Sequence, residues 1–196
     1  MCAIDRGFFN LAVLNAPMAQ VARAFAALPH PVLAHPAPLV FPLQRYRAEA
    51  GDPPLILWSP LCAPELTAFM PCTSSGDYFV TSYARERFGL SFISVRSTAP
   101  DHSNPVNEFA IHAGKETKAF RWVRAMAGEL HWEFHAEGEP LPFENIQAYK
   151  ARRIRDRLTR EMLLTYMEYW GAPVKNADFW RSAADAMTLV RTRPGQ

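Results

Sequence analysis

The chain has 196 residues, of which 49% are hydrophobic and 20% charged, and its formal net charge is +2. These values are typical of a globular domain and exclude a disordered chain. The small charge gives no general attraction to nucleic acid or anionic membranes, and no run approaches the roughly 18 apolar residues that span a bilayer.

Cysteine usage and the first residues predict the compartment. Cys2, Cys62 and Cys72 do not form a CxxC pair, which favours a reducing environment over a disulfide framework. Asp5 and Arg6 interrupt the first apolar run, so a signal peptide is not expected. We therefore expect a cytoplasmic protein.

The first elements in chain order are a strand and a helix. Residues 7–15 are rich in strand formers, and apolar residues then recur at helical spacing between Pro17 and Pro29. Seven prolines interrupt residues 29–54, so this Pro-rich segment cannot be a regular helix or an interior strand. Its apolar residues predict that it packs on the body of a single domain spanning residues 1–196.

The middle of the chain predicts a further strand, helix and strand. Residues 55–58 (LILW) indicate a buried strand, and Ser74 or Ser75 is a candidate cap for a helix over residues 76–88. Gly89 ends that helix, and residues 90–97 alternate as in a strand.

Three more strand-like runs follow at residues 108–113, 117–127 and 130–137, separated by Gly114-Lys115 and by Gly128-Glu129. Beyond them, apolar residues at helical spacing predict one long helix over residues 154–169, a short helix near 176–184 and a final strand at 188–192. The predicted fold class is α+β: a mixed sheet with an antiparallel three-stranded meander, about 108–137, packed against helices, and a long C-terminal helix.

The run HWEFHAE alternates strictly, so one side of an extended chain carries His131, Glu133, His135 and Glu137. Ligands at positions i, i+2 and i+4 of a strand point the same way. An alternative function is therefore a small-ligand-binding or metal-binding enzyme that uses His131, Glu133 and His135. No second cluster of suitable spacing completes such a site, and we expect no metal and no cofactor.

A two-residue turn at Gly128-Glu129 sets an expected register for the last hairpin. The predicted cross-strand pairs are Met126 with His131, Arg124 with Glu133, Trp122 with His135, and Phe120 with Glu137. The same register places His112 on the opposite face. A face that mixes large apolar groups with charges predicts cover, either by a helix of the chain itself or by a partner protein.

Other candidate sites are weaker in the sequence. The basic run from Lys150 to Glu161 suggests, as a third reading, a nucleic-acid-binding helix, although stacking aromatic residues are not interleaved with its arginines. Catalytic residues are not expected, because Cys62, Cys72, Ser59 and Ser74 stand in no recognisable nucleophile motif and no phosphate-binding glycine loop occurs.

The C-terminal half and the GFFN opening carry a resemblance. Trp132 to Glu144 reads W-E-F-x-x-x-G-x-P-L-x-F-E, and it is followed by Tyr149, Arg152-Arg153, Asp156-Arg157-Leu158 and the run from Tyr166 to Gly171. This pattern resembles the immunity proteins of bacterial polymorphic toxin systems, small cytosolic proteins encoded beside secreted toxins. The resemblance implies tight binding to a cognate toxin or effector domain, with occlusion of its active site, and it carries over no functional residue.

The leading expectation is thus a cytoplasmic protein-binding module, an immunity protein rather than an enzyme. The residues expected to bind the partner are Phe120, Trp122, Arg124, His131, Glu133, His135 and Glu137. Inhibitors of basic nucleases tend to be acidic, so the net charge of +2 argues against a strongly basic target.

Overall fold

A computed structural model of the chain describes residues 9–27, 32–37, 39, 55–71, 78–98, 102–113 and 120–191. Within these ranges nine strands form one sheet, and each adjacent pair is antiparallel. The strands are β1 (Phe9–Leu14), β2 (Val32–Ala37), β3 (Leu55–Trp58), β4 (Thr67–Pro71), β5 (Phe92–Ser97), β6 (Val106–His112), β7 (Phe120–Ala127), β8 (Trp132–Glu137) and β9 (Ala186–Arg191). Their order across the sheet is β2-β9-β3-β4-β1-β5-β6-β7-β8.

Helices are a minor part of the described chain. They are α1 (Met18–Ala26), α2 (Tyr78–Phe88) and α3 (Arg160–Tyr169), with 3-10 turns at Ala148–Lys150, Ile154–Asp156 and Ala177–Trp180. None of the helices in the described ranges is both long and apolar enough to cross a bilayer.

The predicted α+β class, with a mixed sheet and a long C-terminal helix, is therefore wrong: the fold is sheet-dominated, and its described strand pairs are antiparallel. Two strands account for much of the difference. β4 is a five-residue strand that ends in Pro71 and carries little alternation. β9 comes last in the chain, yet it lies between β2 and β3, a non-local pairing that no local pattern reveals.

The predicted helix over residues 154–169 is two elements. A 3-10 turn at Ile154–Asp156 precedes α3, and between them Thr159 adopts an extended conformation as the N-cap. The Thr159 hydroxyl accepts a hydrogen bond from the Met162 backbone N–H at 3.3 Å. The apolar stripe is continuous in sequence but crosses a cap, so the helix is only ten residues long.

The first face of the sheet is covered by the C-terminal segment. Buried side chains from seven strands, including Trp58 and Phe109, form one cluster with Leu163, Tyr166 and Phe179 of the segment that follows β8. Trp58 donates its indole N–H to the Phe179 carbonyl at 2.8 Å, which orients the ring within this layer. The largest part of the hydrophobic core lies here.

A buried ion pair joins this segment to β7. The guanidinium of Arg121 donates to both oxygens of Glu144, with Nε to Oε1 at 2.8 Å and Nη2 to Oε2 at 2.7 Å. The side chains are 5% and 0% exposed respectively. Arg121 Nη1 also donates to the Gly138 carbonyl at 2.7 Å, so the pair fixes both the chain leaving β8 and the start of the segment.

Two tyrosines complete the hydrogen bonds of this pair. The Tyr149 hydroxyl donates to Glu144 Oε2 at 2.8 Å and lies 3.3 Å from the Tyr166 hydroxyl, which in turn accepts from the Asn145 N–H. Burial raises the pKa of Tyr149 and of Tyr166, so both remain neutral donors. For Arg121, burial lowers the pKa but the bond to Glu144 more than offsets it, and the group stays charged.

The second face is only partly covered. Helices α1 and α2 bring Val21, Phe25 and Ala84 onto side chains of β1, β3, β4 and β5, among them Phe69 and Phe92. This smaller core covers one half of the second face, and it includes no side chain of β6, β7 or β8.

Most of the Pro-rich segment predicted at residues 29–54 lies outside the described residues. The described part forms β2, which contains Pro36 and lies at one end of the strand order, where proline is tolerated. Leu39 packs against the larger core. The Ser74 or Ser75 cap also lies outside the described residues.

Candidate functional site

The hairpin of β7 and β8 differs in register from the expectation. Trp122 lies opposite Glu137, Arg124 opposite His135, and Met126 opposite Glu133. The Gly128 N–H donates to the His131 carbonyl at 2.8 Å, so the turn residues are 129 and 130, one position later than predicted. The predicted pairs of Met126 with His131, Arg124 with Glu133, Trp122 with His135 and Phe120 with Glu137 are therefore wrong.

The shift is two residues, and a two-residue shift leaves every side chain on its own face. Phe120, Trp122 and Arg124 thus still share one face with Glu133, His135 and Glu137. His131 is the exception, because it closes the turn and precedes β8.

We call this surface the open face. It is the second face of β6, β7 and β8, together with Arg96 of β5, and its members are Arg96, Glu108, Phe120, Trp122, Arg124, Met126, Glu133, His135 and Glu137. Its β7 members are half-buried and its β8 members exposed. Among the described helices, α1 and α2 pack on the neighbouring half of this side and α3 on the first face, so the predicted helix cover is not present there.

Trp122 lies at the centre of the open face and is held by three neighbours. Its indole N–H donates to Glu108 Oε1 at 3.1 Å. The Arg124 guanidinium carbon lies 4.9 Å from its ring centroid, and the His135 ring lies 4.6 Å away, inclined at 52°. Ala110, directly across on β6, leaves space for the large ring. These contacts fix the orientation of a half-buried indole.

Arginine and glutamate alternate along a row from β5 to β7. Arg96 lies opposite Glu108 and Glu108 opposite Arg124, and the row continues to His135 of β8, which lies opposite Arg124. Arg96 Nη2 donates to Glu108 Oε2 at 2.6 Å, with about a quarter of each side chain exposed. The two Arg–Glu pairs of this row are favourable cross-strand pairs, and they order the side chains around Trp122.

His112 lies on the same face as Phe120, not on the opposite face as predicted. Its ring stacks on Phe92 at 4.6 Å and lies 4.7 Å from Phe120. Burial, followed by the charge of Arg85, lowers the pKa of His112 to about 4, so it is neutral at physiological pH. It forms the boundary between the helix-covered half of this side and the open face.

The described residues contain no group of three or more His, Cys, Asp or Glu side chains arranged to hold a metal ion. The alternative site of His131, Glu133 and His135 is divided by the turn, and the cationic Arg124 stands opposite His135. Burial raises the pKa of Cys62, which disfavours the thiolate that a nucleophile requires.

The basic run does not form one helical face. The stretch before α3 exposes Arg152, Arg153 and Arg155. Arg155 Nε lies 3.8 Å from Oδ1 of Asp156. Arg157 instead turns inward, with its guanidinium carbon 5.5 Å from the Phe134 ring centroid and its Nε donating to the Ala151 carbonyl. An interleaved row of aromatic side chains does not accompany the exposed arginines of this stretch.

The sequence reasoning missed the buried pair of Arg121 and Glu144. The run from Phe120 to Ala127 places Arg121 among the inward-facing positions, and a charged residue there is a signal for a buried partner. Nothing in the strand itself indicates that the partner is Glu144, 23 residues further on. The chain matches no protein-family model, no curated protein and no solved structure.

Proposed function

We propose that this chain is a cytoplasmic protein-binding module that acts as an immunity protein, covering the active site of a cognate secreted bacterial toxin with its open face. The observation that carries the proposal is Trp122, a large aromatic side chain held in place by Glu108, Arg124 and His135 on a strand face without a helix over it in the described residues.

Trp122 and Arg124 are preorganised for binding. Tryptophan and arginine supply a large share of binding energy at protein interfaces, and a side chain that is already ordered loses less entropy on binding. Trp122 and Arg124 stack on one another and stand on the interior strand β7 of the sheet. A partner that fills the space over them gains apolar burial without reorganising the chain.

The local charge indicates the chemistry of the partner. From Gly128 to Glu139 the sequence contains four glutamates and neither lysine nor arginine. A net charge of +2 describes the whole chain, whereas association is steered by the potential of the surface that meets the partner. The β8 end of the open face therefore suits a basic partner surface, such as a cleft that binds a negatively charged substrate.

The resemblance in residues 132–171 adds the biological role. The part of it that includes Glu144, Tyr149 and Tyr166 forms the buried network behind β7 and β8. These residues support the hairpin that carries the open face, so a shared pattern there is consistent with a shared way of presenting a binding surface.

The test is co-expression with the product of the adjacent gene. We expect that product to be toxic alone and to be neutralised and bound by the wild-type chain. Trp122→Ala should weaken binding by about 30-fold or more, the size of an interface hot spot. The matched control is Tyr169→Ala, because Tyr169 is 68% exposed and stacks on Phe143 of the C-terminal segment, away from the open face. Loss of neutralisation in the control alone, or an adjacent product that neither binds nor is toxic, would refute the proposal.

A further inference from the structure

Strand β8 stands at one end of the described strand order, and its backbone groups that point away from β7 can form further hydrogen bonds. It pairs with β7 on one side, and no described strand lies on the other. Gly128 and His131 form a hydrogen-bonded pair, and hydrogen-bonded pairs alternate with non-bonded pairs along an antiparallel hairpin. The backbone N–H and C=O groups of Glu133, His135 and Glu137 therefore point toward β7. The N–H and C=O groups of Trp132, Phe134 and Ala136 therefore point away from β7.

Several of the usual protections of an edge are missing from β8, although it carries the charges of Glu133 and Glu137. Its six residues, WEFHAE, include no proline, glycine or lysine, and its second-face residues and Ala136 are exposed. Within the described residues, no hydrogen bond meets the outward backbone groups of Trp132, Phe134 or Ala136. An extended chain can add to such an edge through main-chain hydrogen bonds.

We propose that the occupant of this edge is β8 of a second copy of the chain, in an antiparallel two-fold pairing centred on Phe134. In this register the outward groups of Phe134 bond to those of the second Phe134, and Trp132 pairs with the second Ala136. On the open face, Glu133 then meets His135 of the second copy, and His131 meets Glu137.

The charge pattern selects this register among those that the backbone allows. When HWEFHAE is aligned with its own reverse, each histidine stands opposite a glutamate and each glutamate opposite a histidine. Every polar contact in this register therefore joins an imidazole to a carboxylate. A shift of two residues in either direction places Glu133 opposite a glutamate and His135 opposite a histidine. The pairing ends where Gly138, with a φ of +83°, turns the chain out of the strand.

The two-fold axis stands perpendicular to the sheet, because the paired strands are antiparallel within one plane. Both open faces then lie on the same side of a continuous sheet. The dimer thus presents two copies of Trp122 and Arg124 side by side. The pairing uses the backbone edge of β8, whereas Trp122 of the proposed toxin contact stands on β7. Ala136 lies on the first face. Ala136→Pro therefore tests the dimer without changing a side chain of the open face, and Trp122→Ala tests the toxin contact.

The experiment measures the mass of the full chain by sedimentation over a range of concentrations. We expect a reversible dimer of twice the 22.1 kDa chain mass. Glu133→His alone and His135→Glu alone place like groups opposite one another, and each should weaken the dimer about tenfold. The double variant carrying both changes restores unlike pairs across the axis and should restore the wild-type dissociation constant.

A second variant tests the backbone bonds. Ala136→Pro removes an outward N–H without removing a bond to β7, so it should abolish the dimer while circular dichroism shows an unchanged fold. Trp122→Ala should leave the dimer intact, which separates this inference from the proposed function. A chain that is monomeric at all concentrations, or a double variant that is no better than the single variants, would overturn the dimer even if the toxin is bound.

Discussion

Replacing Glu144 with Gln removes the charge from the most buried ion pair in the described structure while keeping the side-chain shape. Glu144 accepts from Arg121 Nε and Nη2, from the Leu141 N–H and from the Tyr149 hydroxyl. An amide offers one acceptor oxygen in place of two, so at least one of these donors faces an NH₂ group. Arg121, whose side chain is 5% exposed, then keeps its charge without a counter-ion.

The expected loss is about 3–5 kcal/mol in the free energy of unfolding, the cost of leaving one member of a buried pair uncompensated. This is a large share of the roughly 5–15 kcal/mol that stabilises a typical domain. Urea unfolding followed by tryptophan fluorescence measures it directly. The same Glu→Gln change at position 161 is the control, because Glu161 is 72% exposed and pairs with Lys175 at the surface; it should cost less than about 0.5 kcal/mol.

A double variant separates the cost of the stranded charge from the cost of the lost contacts. Arg121→Met combined with Glu144→Gln removes the stranded charge, so its loss should be smaller than the sum of the two single losses. Glu144→Gln costing less than about 1 kcal/mol, or the control at position 161 costing as much, would refute a structural role for the pair.

Three further predictions concern the protonation of His112, the N-cap of α3 and the close approach at Gly138. The folded state keeps His112 neutral because its pKa is about 4, whereas the imidazole of the unfolded chain takes up a proton near pH 6.5. The free energy of unfolding should therefore fall by up to about 3 kcal/mol as the pH drops from 6.5 to 4. His112→Gln should remove that part of the pH dependence in urea titrations. Thr159→Ala should cost about 1 kcal/mol in the same assay through loss of the N-cap, and an unchanged midpoint would contradict the break before α3. Gly138→Ala should lower the melting temperature clearly more than Gly171→Ala. Both glycines have a positive φ, but a Cβ at 138 would lie 1.9 Å from the Phe120 carbonyl oxygen, whereas a Cβ at 171 meets nothing within 4 Å. Equal melting temperatures for the two variants would contradict the close approach at Gly138.

The sequence predicted strands best where the pattern is local. β5, β7 and β8 follow alternation that can be read from a few residues. Six of the predicted partner-binding residues share one face despite a wrong register, because a two-residue shift preserves the side of every residue; Arg96 and Glu108 of the open face were not among the predicted residues, and His131 lies at the turn. His112 shows the limit of this reasoning. Its face depends on the pairing of β6 with β7. A two-residue turn at Gly114-Lys115 would place His112 opposite residue 117, whereas His112 lies opposite Phe120, and a shift by an odd number of residues reverses the face.

Non-local contacts explain the remaining errors. β9 inserts between β2 and β3, and Arg121 meets Glu144 across 23 residues, so neither is visible in a window of neighbouring positions. The break at Thr159 shows a different cause. A continuous apolar stripe indicates which side chains are buried, but it does not show that a capping threonine divides the stretch into two elements.

The central claim is that the open face, through Trp122, binds the toxin encoded by the adjacent gene. The most direct measurement is the dissociation constant of that complex, by calorimetry, for the wild-type chain and for Trp122→Ala. We predict that the variant binds about 30-fold more weakly or worse while remaining folded under the assay conditions, and that Tyr169→Ala binds as the wild type does. Equal affinity for the wild type and Trp122→Ala would contradict the account.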